Sequence, residues 1–165
     1  MLEPRQRFAR LAAALRDECA RLGRVVDEGR SAHERFADAA PGSLELRGIG
    51  DVVHDFYTGA ERIFEKIAPE LNGGLPAGSS RHRELLRNMT LDLPGIRPPV
   101  ITTETARLLE EFLRFRHLFR SVYGFELEWP RLRALLERLP AAWESLRRDL
   151  EHFIAFLDRT AATPG

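Results

Sequence analysis

One cysteine, one lysine and no net charge bound what this chain of 165 residues can be. With Cys19 alone, no intrachain disulfide forms and a zinc site built on cysteines is excluded. A reducing compartment fits. Lys66 is the only lysine, so 24 of the 25 basic residues are arginine. Any cationic site is therefore a planar guanidinium site suited to bidentate contacts. Twenty-five acidic residues balance them, giving a formal charge of zero. That argues against a globally basic nucleic-acid binder and leaves a local basic patch open. No uncharged apolar run approaches the ~20 residues that span a bilayer. The N-terminal MLEPRQRFARLAAALRDE has no apolar h-region, so a secretory leader is not expected. The expectation is a cytoplasmic protein with no membrane contact. It should be a single domain over 1–160, with a frayed tail at 161–165.

Strand-like alternation is also missing, and helical periodicity takes its place. From Pro4 to about Asp38 the apolar residues Phe8, Leu11, Leu15, Cys19, Leu22, Val25 and Val26 recur at helical steps. A second helix is expected from about Ser43 to Leu71, striped by Ile49, Val53, Phe56, Ala60, Ile63, Phe64 and Ile67, although Gly48 and Gly50 blur its start. The glycine-rich segment at 72–79 reads as a loop. A short helix follows, roughly Ser80 to Met89. The proline-rich stretch at 93–100 is expected to cross the surface extended. Thr102 or Thr103 caps a helix carrying Leu108, Leu109, Phe112, Phe115, Phe119 and Val122. Trp129 to Leu139 reads as a short helix, and Pro140 as the start of the last one. The fold class is all-α, an up-and-down four-helix-type bundle with one or two short extra helices. Cys19, Trp129 and Trp143 read as packing residues, and His33 and His82 as solvated side chains near helix ends.

The most informative segment is Arg114-Phe115-Arg116-His117-Leu118-Phe119-Arg120-Ser121-Val122-Tyr123-Gly124. On an ideal helix Arg116, Arg120 and Tyr123 share one stripe, with His117 and Ser121 on the next. Guanidinium, imidazole and phenol together suit a phosphodiester, because arginine neutralises phosphate oxygens and histidine moves protons near neutral pH. The plainer reading is an arginine-rich solvated face near a helix C-terminus. Asp51-x-x-His54 and Asp149-x-x-His152 have the spacing of metal ligands, but no matching pair of inward carboxylates accompanies them. Neither a metal nor another cofactor is expected. His54, Asp55, Tyr57 and Glu61 read as a buried hydrogen-bond network or as partners for arginines of a neighbouring helix. The sharper alternative is that they line the same cleft or orient Arg116.

The segment resembles the signature of HEPN domains, in particular of HepT-like toxins: arginine, a polar residue, three residues, histidine, any residue, tyrosine. Arg116, His117 and Tyr123 match, and Ser121 stands at the histidine position. His54 to Phe64, the Gly-Gly-Leu-Pro loop and Arg97-Pro98-Pro99-Val100 extend the resemblance over most of the chain. It implies a homodimeric helical bundle and a metal-independent endoribonuclease. It also implies a partner MntA-like nucleotidyltransferase antitoxin that transfers AMP to the motif tyrosine, here Tyr123. The implied catalytic set is Arg116, His117, Ser121 and Tyr123, with Arg114 and Arg120 binding RNA. A hydroxyl does not shuttle protons at pH 7 as imidazole does, so Ser121 implies a weakened or inactive nuclease. Three accounts stay open: a natural inactive relative, an engineered inactive form, or partial substitution by His117. The alternative function is an inactive HEPN module that docks a nucleotidyltransferase or another partner.

Overall fold

The computed structural model describes residues 3–121 and 127–163, apart from the side chains of residues 120 and 121. Five helices account for most of it: α1 (Pro4–Arg35), α2 (Ser43–Leu71), α3 (Arg81–Asn88), α4 (Thr103–Ser121) and α5 (Trp129–Ala162). Among the described residues there is no strand, only an isolated bridge between Leu93 and Arg97. The all-α expectation holds. None of the helices is long and apolar enough to cross a membrane.

The stripes read from the sequence form the core. Leu11, Leu15, Leu22 and Val26 of α1 are buried, as are Val53, Phe56, Ile63, Phe64 and Ile67 of α2. α1 packs on α5 and α2, and α4 lies across α2 and α5. Fully burying a side chain such as Phe56 or Phe112 contributes about 1.5–3 kcal/mol. Those two rings meet edge-on, with centroids 4.9 Å apart. This contact sets the register of α4 on α2 one turn before Arg116. α1 starts at Pro4, where the missing N–H costs nothing, and Gln6 Oε1 accepts the Glu3 N–H. Buried Glu18 of α1 faces Arg62 and Lys66 of α2 at 3.8 and 3.7 Å.

Two expectations need correction. Pro140 does not open a new helix, because α5 runs unbroken through it. Leu132, Leu135, Leu136 and Leu139 before the proline continue in phase with Ala142, Leu146 and Leu150 after it, and all are buried. That shared burial outweighs the cost of an interior proline, about 3 kcal/mol. The proline-rich stretch is not extended either. Leu93 and Arg97 exchange backbone hydrogen bonds across Gly95, whose positive φ of 77° closes the turn. Val100 and Ile101 then enter the core. Arg97 is buried and donates to Asn72 Oδ1 and to the carbonyls of Leu91, Pro98 and Asn88, at 2.8 to 3.0 Å. It therefore fastens the 72–79 loop to this turn.

The start of α4 is held from outside. Thr102 Oγ1 accepts the Thr105 N–H at 3.2 Å, the N-cap expected from the sequence. Asp149 of α5, itself buried, accepts the Thr102 N–H, the Thr102 hydroxyl and the Thr105 hydroxyl on one oxygen, at 2.9, 3.0 and 2.5 Å. Asp149 is thus an anchor between helices.

Candidate functional site

Arg116 follows Phe112 and Phe115 on α4 and turns inward with them. Its side chain is only 11% exposed, so the plainer reading of a solvated arginine face does not hold for it. The cause is Glu61 of α2, a buried carboxylate whose Oε1 lies 3.5 Å from Arg116 Nη2. The other oxygen of Glu61 accepts a hydrogen bond from His82 Nδ1 of α3 at 2.8 Å. One carboxylate therefore joins a guanidinium and an imidazole from three different helices. The alternatives left open for the α2 polar cluster converge here, since the arginine that Glu61 pairs with is Arg116.

Arg116 Nε is buried and has no hydrogen-bond partner among the described residues. The Tyr57 hydroxyl is likewise buried and unpartnered among them. Burial first, and then the Glu61 charge, push the Tyr57 phenol well above its ordinary pKa, with Arg116 opposing. Tyr57 is a neutral donor in this setting.

A surface groove of about 740 Å³ opens over Arg116 and His82. Arg83, Arg114 and Arg131 add further guanidinium groups to its lining beside His117, and among the described residues Glu110 is the one carboxylate on it. The chain as a whole is neutral, yet among the described residues four guanidinium groups meet here, two of them beside the carboxylates Glu110 and Glu61. This is the local patch that net charge left open, and it fits an anionic ligand with repeated phosphates.

Of the residues expected at the site, Arg114, Arg116 and His117 line this groove. Ser121 ends α4, but its side chain, that of Arg120, and all of Tyr123 lie outside the described residues. His54 stacks at a tilt on Phe119, with centroids 5.2 Å apart, and Asp55 is exposed. His152 is exposed as well, away from the core stripe beside it. Among the described residues no group of three or more His, Cys, Asp or Glu side chains converges as metal ligands would.

The sequence reading missed His82. It is bound to a buried carboxylate and lines the groove, and is not a solvated end residue. The available signal was the basic triplet Arg81-His82-Arg83 opening a helix after a flexible loop. Nothing local ties that triplet to Glu61, 21 positions earlier.

No curated protein and no solved structure matches the chain. Residues 48–157, about two thirds of it, match the family model described as HepT-like protein. The matched span runs from inside α2 almost to the end of α5, and it contains Glu61, His82 and Arg116 along with the described residues that line the groove. With this span matched and an all-α bundle, the chain belongs to the HepT-like proteins of the HEPN superfamily.

Proposed function

We propose that this chain is the toxin of a toxin–antitoxin pair and cleaves RNA in the groove over Arg116 without a metal ion. The observation that carries the reading is Arg116 itself: a nearly buried guanidinium, fixed by Glu61, that still lines a groove rich in arginine. Such a group is preorganised for the charge that develops on a phosphodiester as the 2′-oxygen attacks. Arg83, Arg114 and Arg131 hold the flanking phosphates. In the reaction the P–O2′ bond forms as the P–O5′ bond breaks. The products are a 2′,3′-cyclic phosphate and a 5′-hydroxyl. The 2′-hydroxyl proton leaves to a base, and the 5′-oxygen takes one up.

Family resemblance adds a cytoplasmic homodimer and a nucleotidyltransferase partner that silences the toxin by transferring AMP to Tyr123. Co-expression with such a partner should add the mass of one AMP group, and Tyr123→Phe should abolish that addition.

Ser121 at the histidine position favours a second reading, an inactive module that docks the nucleotidyltransferase. The discriminating experiment is RNA cleavage in EDTA by the native chain, Ser121→His and Arg116→Gln. Cleavage by the native chain or by Ser121→His, with a loss of about 10²–10³-fold when Arg116 is replaced, supports the nuclease. If neither form cuts while both remain folded, the docking reading replaces it.

A further inference from the structure

We propose that His82, held by Glu61 beside Arg116, is the proton-transfer residue of the groove and supplies the imidazole that the signature lacks at Ser121. This rests on the ribonuclease reading and adds a residue that the signature does not contain.

Three observations carry it. His82 sits on α3, which is clamped to the core by buried Leu85, Leu86 and Met89, so the imidazole has a rigid support. Its Nδ1 is bound to a buried carboxylate at 2.8 Å. In the neutral ring that contact places the proton on Nδ1 and leaves a lone pair on Nε2, the form a general base requires. Finally, the carboxylate that orients His82 also holds Arg116, whose Nε has no partner among the described residues. Both side chains line the same groove, so a phosphate bound there by the guanidinium would have the imidazole within the same site. The side chain of His82 is 25% exposed and lines the groove, so an RNA strand can reach it. His117, the other imidazole on the groove, is on the exposed side of α4.

In the step assigned here, Nε2 of His82 takes the 2′-hydroxyl proton as the P–O2′ bond forms. The departing 5′-oxygen takes a proton from water, and the imidazolium returns its own proton to the hydroxide so formed. Glu61 is the positioning residue. The charged and titratable groups around His82 are Glu61 from α2; Arg83 on its own helix; Glu110, Arg114, Arg116 and His117 from α4; and Arg131 from α5.

The test uses the full chain in EDTA, a mixed-sequence RNA, and the same RNA with 2′-O-methyl groups as a binding probe. In His82→Asn the amide nitrogen replaces Nδ1 as donor to Glu61, so the fold keeps its contact while the base is lost. The native chain should cleave the RNA. His82→Asn should lose about 10²–10⁴-fold in rate, with unchanged affinity for the 2′-O-methyl RNA. Imidazole added to the buffer should restore part of the cleavage by His82→Ala. If the native chain cleaves and His82→Asn matches its rate and pH profile, the proposal is overturned and the ribonuclease reading stands. If the native chain is silent and Ser121→His cleaves, the same holds. If neither cleaves, both fall together.

Discussion

Replacing Asp149 with alanine tests the inference that α4 is anchored from α5. The change removes the acceptor of three donors, the Thr102 N–H and the hydroxyls of Thr102 and Thr105. The two hydroxyls have other outlets. Thr105 Oγ1 lies 2.6 Å from Ser145 Oγ, and the Thr102 hydroxyl can donate to Thr105 Oγ1 at 3.0 Å. The Thr102 N–H has no such alternative, and stranding it costs about 1–3 kcal/mol. Losing charge-assisted bonds to the two hydroxyls adds about 1 kcal/mol after this rearrangement. The expected loss is therefore about 3 kcal/mol, a large share of the 5–15 kcal/mol typical of a domain. In a chain of this size it should lower Tm by about 6–12 °C. The assay is urea unfolding followed by circular dichroism, with an unchanged m-value confirming that only stability moved. Asp158→Ala is the control. It removes an exposed ion pair with Arg16 and should cost no more than about 1 kcal/mol. A loss at Asp149 as small as that of the control would refute the anchor.

Arg97→Lys should destabilise by about 2 kcal/mol in the same urea assay, because an ammonium cannot satisfy four acceptors arranged for a planar fork. Gly29→Ala and Gly48→Ala should differ in sign. An added Cβ at Gly29 meets Leu139 Cδ2 at 2.4 Å, whereas at Gly48 it meets nothing within 4 Å. Unfolding should show Gly29→Ala losing about 1–2 kcal/mol and Gly48→Ala gaining about 0.5–1. Burial, followed by the charges of Glu151 and Glu18, pushes the Cys19 thiol up to about 11. Its alkylation by iodoacetamide at pH 8 should run about 10²-fold slower than that of a free thiol and rise steeply above pH 10. The folded-state value is raised, so this group's contribution to stability is complete below pH 9. It is lost as the pH climbs towards 11, which unfolding at pH 8 and pH 10.5 would detect.

The parts of the fold legible in the sequence were those governed by local periodicity. The bounds of α2 fall at Ser43 and Leu71 as the stripe and the glycine-rich loop require. Helix α3 and the Thr102 cap were legible for the same reason. Pro140 misled because a local rule for helix starts competed with a stripe of buried leucines that only tertiary packing weighs. Arg97 could not be read as buried, since its four acceptors come from backbone and an asparagine brought together by the turn. At the site, residue types and spacing brought out Arg116 and placed Glu61 in a cluster of interest. They gave no sign that one carboxylate serves both Arg116 and His82, a contact made between helices distant in the chain.

The two ends of α4 are secured by carboxylates of different helices, Asp149 of α5 at its start and Glu61 of α2 near Arg116. About 20 Å of helix separates the two attachments, at 1.5 Å per residue. The position of the guanidinium is thus set jointly by the anchor at Thr102 and by its contact with Glu61. A tilt of about 3° at the Thr102 anchor carries the guanidinium about 1 Å sideways, a displacement that costs a positioned reaction about 10²-fold. The hydroxyl and carboxylate cluster at Thr102, Thr105, Ser145 and Asp149 is then the alignment screw of the groove. Substitutions there should degrade the site's chemistry without touching any residue that lines it.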